Sequence, residues 1–155
     1  MIEIDELKHR VEAHGMMCER YGNIWNSCQS RKQLFDMAAS VQGSETLCRA
    51  IAEGWGLDVG YISDKFRHYI NDRYISEQDG YTSKLYADFC EPMIADTTLV
   101  IIIGCNSSIE IPDNTVCEVK LVNSSVTFTG DGICNVKTYG DCSVIYKDNV
   151  RHHEL

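Results

Sequence analysis

The chain has 155 residues, of which 44% are hydrophobic and 24% are charged, and its formal net charge at pH 7 is −9. This length fits one domain or two small domains that share a core, and the composition is typical of a globular protein. The acidic surplus excludes attraction of nucleic acid or anionic membranes by the whole surface, although a local basic patch is compatible with it. The longest apolar run, Leu99 to Ile103, is far shorter than the roughly 20 residues that span a bilayer. The polar, acidic start is not a signal peptide, so we expect a cytoplasmic protein with no membrane partner.

The first part of the chain predicts helices. Apolar or small residues recur at alternating spacings of three and four over residues 4–28, which indicates a seam along one helix. Ser30 followed by Gln33 is a capping box, which predicts the start of a second helix. Gly43-Ser44 predicts the end of that helix and the start of a third. Asp58 is a good N-cap for a further helix.

Residues 51–69 carry a more specific pattern: a small Ala52, Gly56 in a turn, an inward-facing Ile62 and the ending Phe66-x-x-Tyr69. In these residues the chain resembles a helix-turn-helix unit of the arabinose-regulator (AraC-type) family. The resemblance implies that a helix over residues 59–70 lies in the major groove of DNA. The DNA-binding residues implied by this resemblance are Tyr61, Ser63, Lys65, Arg67 and His68.

The same basic residues are also typical of an ordinary solvated face. Residues 45–75 hold four Lys or Arg against five Asp or Glu, so the segment is not basic. After it, two short strand-like runs flank Asp79-Gly80, a strong signal for a two-residue turn between antiparallel strands. We therefore predict a β-hairpin over residues 74–85, within a helical domain over residues 1–95.

The second part of the chain contains a repeat. Asn106-Ser107-Ser108-Ile109 recurs 17 residues later as Asn123-Ser124-Ser125-Val126, and the same offset relates Val116-Cys117 to Ile133-Cys134. The offset also matches Leu99 to Val116, and it aligns Ile111, Phe128 and Ile145. Ser125-Val126 best resembles Ser143-Val144, one residue late.

Each repeat holds two alternating apolar stretches separated by turn-forming residues, a pattern that indicates two strands with one face inward. The predicted fold class is therefore α+β: a helical N-terminal half with a β-hairpin, followed by a short three-coil parallel β-solenoid with a 17-residue period. The predicted coils are 99–115, 116–132 and 133–149, in a domain over residues 96–150, with 151–155 as a tail. An antiparallel meander is the alternative.

The solenoid prediction has consequences for its first coil, its open end and its cysteines. Because Leu99 to Ile103 is apolar throughout, we expect its outer face to pack against the helical half. The distal end either stays open, protected by charge, or pairs with another subunit. We expect the eight cysteines to be reduced. Cys117 and Cys134, one rung apart, are expected to stack as small apolar side chains, although a disulfide between them is geometrically possible.

No motif for a catalytic, metal or cofactor site is present, so an enzyme of unknown class is the least favoured function. The leading hypothesis is a non-enzymatic protein-binding or assembly protein that uses the solenoid as its interaction surface. Its partner is another protein or a second copy of the chain, as in a homodimer, and Tyr139 and Tyr146 are the predicted interface residues. The alternative is a helix-turn-helix DNA-binding regulator with the solenoid as oligomerisation module.

Overall fold

The structure is a computed structural model that describes residues 8–9, 12–13, 19–55, 57–70, 76–78, 81–87 and 99–154. The helices in these residues are α1 (Glu19–Ser27), α2 (Arg31–Ala38), α3 (Val41–Ala52) and α4 (Val59–Lys65). The strands are β1 (Ser76–Gln78), β2 (Tyr81–Ala87), β3 (Leu99–Ile103), β4 (Asn106–Ile111), β5 (Val116–Val122), β6 (Ser125–Gly130), β7 (Ile133–Tyr139), β8 (Ser143–Tyr146) and β9 (Arg151–Glu154). Most of the seam predicted over residues 4–28 lies outside the described residues; 8–9, 12–13 and α1 are helical within it.

Side-chain caps fix where the helices begin. The Ser30 side chain accepts a hydrogen bond from the Gln33 N–H at 3.2 Å, which confirms the predicted start of α2. The predicted break at Gly43-Ser44 is wrong, because Ser40 is the N-cap of α3 and accepts from the Gly43 N–H at 3.1 Å. Gly43 is needed for close approach rather than for a break, since a Cβ there would lie 1.9 Å from the Met37 carbonyl oxygen.

Helix α4 begins as predicted but ends early. The Asp58 side chain accepts a hydrogen bond from the Tyr61 N–H at 2.8 Å. The helix stops at Lys65 instead of continuing to residue 70, because the chain turns at Phe66, whose carbonyl accepts the Tyr69 N–H at 2.9 Å. The turn brings the Tyr69 ring to 5.4 Å from the ring of Phe35 on α2.

The strands form two sheets, in the orders β1-β2-β3-β5-β7-β9 and β4-β6-β8. Neighbouring strands pair in parallel except β1 and β2, which form the predicted antiparallel hairpin with Gln78 opposite Tyr81. The chain alternates between the two sheets from β3 to β9, as a solenoid requires. The predicted α+β class with a β-solenoid of about three turns is therefore confirmed. Strand β2 extends the prediction, since it pairs with β3 and belongs to the solenoid sheet.

The 17-residue period holds between β5 and β7, where Cys117 pairs with Cys134 as predicted. One coil earlier the offset is 19 residues, because Leu99 pairs with Glu118 rather than with Val116. The cause is the turn: residues 112–115 connect β4 to β5, whereas only residues 131–132 connect β6 to β7. A slip of two residues leaves each side chain on its predicted face of the strand, so the fold is unaffected by the error.

The predicted alignment in the three-stranded sheet shifts by two residues on β4 and by one residue on β8. Phe128 pairs with Ile109 and with Tyr146, and not with Ile111 and Ile145. A shift of one residue moves a side chain to the opposite face of its strand. Ile145 therefore faces outward instead of inward, and it is 51% exposed. The match of Ser125-Val126 to Ser143-Val144 is confirmed.

Residues 151–154 are not a tail. They form β9, which pairs with β7 from Ile133 opposite Arg151 to Val136 opposite Glu154. The prediction missed this strand because Arg-His-His-Glu has no apolar alternation. Its four residues are exposed at the sheet edge, where backbone pairing on one side is enough to hold a charged strand.

Two hydrophobic clusters share strand β3. Val100 and Ile102 pack between the two sheets, in the solenoid interior. Leu99, Ile101 and Ile103 point the other way and pack with residues of the helices. All five side chains of β3 are fully buried, which confirms that the first coil covers its outer face with the helical half. No helix in the described ranges is long and apolar enough to cross a membrane.

Candidate functional site

The outer face of the three-stranded sheet is a regular exposed surface of the solenoid. Side chains alternate along each strand, so that Ile109, Val126 and Phe128 point inward while their neighbours point to solvent. Pairing across the strands arranges the outward residues in rows. The rows are Asn106, Ser125 and Ser143; then Ser108, Thr127 and Ile145; then Glu110 and Thr129, with Lys147 next to them.

Opposite charges occupy opposite sides of this face. Glu110 on β4 is exposed and pairs with Thr129 on β6. Lys147 follows β8 and is exposed, and its N–H donates to the Phe128 carbonyl at 2.8 Å, so it continues the ladder by one residue. The two charged residues are thus separated by two strand spacings, about 10 Å. No prediction from the sequence identified this pair, although the outward positions follow from the strand alternation.

The distal end of the solenoid is closed by polar side chains. Tyr146 stacks on Phe128 with ring centroids 5.6 Å apart, and His152 stacks on the other side of Tyr146. The Tyr146 hydroxyl donates to a Glu154 carboxylate oxygen at 3.4 Å. Tyr146, a predicted interface residue, is therefore half-buried and lies at the distal end as expected. Whether it contacts a partner stays a prediction.

Tyr139, the other predicted interface residue, is not at the surface. It lies on β7 with 8% of its area exposed, and its hydroxyl donates a hydrogen bond to Glu45 on α3. Its ring belongs to the cluster between the sheet and the helices. The sequence placed it among exposed aromatics because the helix that covers it is about 90 residues away along the chain.

Glu45 is the centre of a polar network that joins α3 to the solenoid. It accepts from the Lys137 ammonium at 2.7 Å and lies 3.9 Å from the ammonium of Lys120. The buried Lys120 also donates to the Val41 carbonyl at 2.9 Å and to the Ser44 hydroxyl at 2.7 Å. These contacts satisfy an ammonium group that would otherwise be costly to bury.

The network sets the protonation of its members. Partial burial pushes the pKa of Glu45 up, but the hydrogen bonds from Lys137 and Tyr139, with the positive charges of Lys137 and Lys120, outweigh it and lower the pKa. Burial lowers the pKa of Lys120, although the negative charge of the nearby Glu45 carboxylate acts to raise it. Burial raises the pKa of Tyr139, which therefore stays a donor. A fully occupied network of this kind fixes the position of a helix, and it contains no free acid or base aimed at a cavity.

A second polar cluster lies at the surface between α2 and α4. A cleft of about 240 Å³ is lined by Arg31, Asp64, Lys65, Arg67 and His68. Three of the five residues that the helix-turn-helix resemblance implies for DNA binding therefore meet in one place. Arg31 was not among the implied residues, since it is more than 30 positions away and no local signal connects it with them.

The other two implied residues lie elsewhere. Tyr61 is half-buried, with its ring centroid 6.4 Å from that of Phe66. The Ser63 hydroxyl is buried, and no described residue is its hydrogen-bond partner. Helix α4 packs chiefly on β2, and α3 packs on α2, β5 and β7.

The cysteines behave mostly as apolar residues. Cys117 and Cys134 are free thiols, fully buried in adjacent rungs, which confirms the predicted stacking without a disulfide. Burial raises the pKa of Cys117 to about 12 and that of Cys134 to about 11, so both are inert thiols at neutral pH. The expectation that every cysteine is reduced is wrong at Cys105, which is disulfide-bonded. Within the described ranges, no three His, Cys, Asp or Glu side chains come together to hold a metal.

Comparison with protein-family models, with curated proteins and with solved structures finds no match to this chain.

Proposed function

We propose that this chain is a non-enzymatic assembly protein whose solenoid binds a second copy of the chain through the outer face of the three-stranded sheet. The observation that carries the proposal is that helices cover part of the outer face of one sheet, whereas the outer face of the other sheet is exposed. The outer face of the six-stranded sheet is covered by helices at β3 and at the ends of β5 and β7. The outer face of β4, β6 and β8 presents exposed side chains in every strand.

The charges on this face favour a second copy as its partner. A two-fold axis parallel to β6 would stack two such faces about 10 Å apart, the usual separation of packed sheets. This operation exchanges the positions of β4 and β8, so that Glu110 of each copy faces Lys147 of the other. The same operation sets Ile145, the exposed apolar residue, opposite Ser108.

The size of the face predicts a weak dimer. Three strands of about six residues cover roughly 300 Å², against the roughly 800 Å² per partner of a stable complex. We therefore expect association that depends on protein concentration and weakens with salt, as exposed ion pairs do.

The experiment is sedimentation equilibrium of the full chain over a range of concentrations. The average mass should rise from the 17.5 kDa monomer toward a dimer. Glu110→Lys and Lys147→Glu should each weaken the dimer roughly tenfold, because each single change affects two symmetric pairs. The double variant should recover most of the lost dimer affinity, because it restores opposite charges at both pairs. Arg151→Glu, an equal charge change on the other sheet, is the control.

Three results would overturn the proposal. One is a strict monomer at the highest attainable concentration. Another is a dimer that the double variant weakens as much as the sum of the two single changes, since a pairing contact would then be excluded. Association unaffected by all three variants would place the interface elsewhere and would also end the proposal for this face.

A DNA-binding regulator is the second candidate, and the cleft that gathers Lys65, Arg67 and His68 favours it. The test is binding to random duplex DNA at low salt. Arg67→Ala and added salt should both weaken it if these residues meet phosphates. The absence of binding at tens of micromolar protein, at low salt, would exclude this function.

A cytoplasmic location is also a proposal. The free thiols of Cys28, Cys48, Cys117, Cys134 and Cys142 support it. The disulfide at Cys105 opposes it, because cytoplasmic thiols are kept reduced. Titration of free thiols in the chain isolated under non-reducing, thiol-trapping conditions decides: a reduced Cys105 supports the cytoplasm and an oxidised Cys105 contradicts it.

A further inference from the structure

We infer that the cleft between the start of α2 and the end of α4 binds a small anion that carries a phosphate group. Arg31 is the first residue of α2, and Lys65 is the last residue of α4. Arg67 and His68 follow in the turn that ends α4. Two separate parts of the chain thus bring cationic side chains to one cavity, and this site is independent of the dimer proposed above.

The charge of the cleft is opposite to that of the chain. Among the described residues, three cationic side chains and one histidine line the cleft, and Asp64 supplies one carboxylate. The whole chain carries a net charge of −9. Asp64 lies 3.7 Å from the Lys65 ammonium, and its side chain is 73% exposed, so water screens most of its effect. Positive side chains therefore outnumber carboxylates in the described lining of the cleft, and such a lining favours an anion.

The kinds of side chain point to phosphate. Arginine presents a planar fork of N–H donors that matches two oxygens of a phosphate, and lysine adds a point charge. The cleft has two such arginines, Arg31 and Arg67. Its volume of about 240 Å³ is below the roughly 300–1,000 Å³ of pockets for drug-sized ligands. One phosphate group or a small phosphate ester fits these limits better than an entire nucleotide.

The test is a titration of the full-length, isotope-labelled chain with inorganic phosphate, followed by amide NMR at constant ionic strength held with chloride. Saturable shifts are expected at Arg31 and at residues 64–68. Arg31→Gln and Arg67→Gln should each weaken binding about tenfold. Arg67→Lys should lose less, because it keeps the charge and loses the fork. Arg151→Gln, which removes an exposed charge on β9, should leave the affinity unchanged.

A parallel titration with glycerol phosphate separates the two sources of the anion. Binding of the ester at least as tight as that of inorganic phosphate assigns the site to a phosphate monoester, and tighter binding of inorganic phosphate assigns it to the free ion. Unsaturable shifts, or an equal loss in Arg151→Gln, would overturn the inference. So would duplex DNA that binds through Arg67 while phosphate does not, since the cleft would then belong to a nucleic-acid surface. The NMR spectra show directly whether each variant is folded.

Discussion

Tyr139 on β7 donates its hydroxyl hydrogen bond to Glu45 on α3, across the boundary between the solenoid and the helices. The same carboxylate accepts from Lys137 at 2.7 Å. One helical side chain thus receives two hydrogen bonds from one strand, so the position of α3 is fixed along that strand.

We expect Glu45→Gln to destabilise the chain by about 1–3 kcal/mol, because it removes a charged acceptor from the hydrogen bonds of Lys137 and Tyr139 and the ion-pair partner of the buried Lys120. Urea unfolding followed by the fluorescence of the buried Trp55 measures this loss. Glu53→Gln is the matched control. It removes an exposed pair with Arg49, at 3.2 Å, and should cost less than about 0.5 kcal/mol. Equal losses in the two variants would contradict the role of Glu45.

The stabilisation by Glu45 should disappear in acid. Its folded pKa lies below the ordinary value of 4.5 because of its donors. A lowered folded pKa means that the contribution is complete above the unfolded pKa and is lost as the pH falls through the folded pKa. The difference in unfolding free energy between the natural chain and Glu45→Gln should therefore be constant from pH 7 to about 5 and shrink below about 4. A difference of the same size at the acid end would show that ionisation of Glu45 is not involved.

The stacked thiols should weaken the fold in alkali. The thiols of Cys117 and Cys134 have folded pKa values of about 12 and about 11, above the ordinary 9.0. A raised folded pKa gives stability that is complete below the unfolded value and is lost as the pH rises toward the folded one. The natural chain should thus lose more stability between pH 9 and 11 than Cys117→Ala does. Val119→Ala, a buried change on the same strand without a thiol, should keep the natural pH dependence, and urea unfolding at each pH makes the comparison.

Replacement of a glycine by alanine should reduce stability by very different amounts at Gly132 and at Gly54. A Cβ at Gly132, in the turn between β6 and β7, would lie 2.3 Å from the Pro112 carbonyl oxygen and 3.0 Å from that of Thr115. Backbone must shift to admit it, so we expect a loss of about 3 kcal/mol or more. Gly54 has φ of +71° and no atom within 4 Å of a Cβ, and its replacement should cost only about 1–2 kcal/mol. Thermal unfolding of both variants checks the order, and a milder effect at Gly132 would contradict the short turn.

The solenoid was predictable because inward and outward residues alternate in every coil, and alternation survives an error of two residues in register. That error came from the turns. Residues 112–115 form a longer turn than residues 131–132 do, and their composition does not indicate this difference in length. Strand β9 was not predictable, because pairing with β7 holds it at an edge without any buried apolar side chain.

The candidate sites depend on contacts between distant parts of the chain. The burial of Tyr139 requires α3, and the cleft requires Arg31 to meet residues 64–68, so neither follows from a local pattern. The face with Glu110 and Lys147 follows from strand alternation once the register is known. The helix-turn-helix resemblance singled out three of the residues that line the cleft, Lys65, Arg67 and His68. Their role in DNA binding stays a prediction.

Strand β3 is the only described strand whose five side chains are all fully buried, with two of them in one cluster and three in the other. Neither the helical half nor the solenoid can therefore open without uncovering the same strand. The two halves should exchange their most protected amide hydrogens at a common rate, set by one global event, with residues 99–103 among the last to exchange. We therefore expect strand β3 to make a chain with two kinds of architecture unfold as a single cooperative unit.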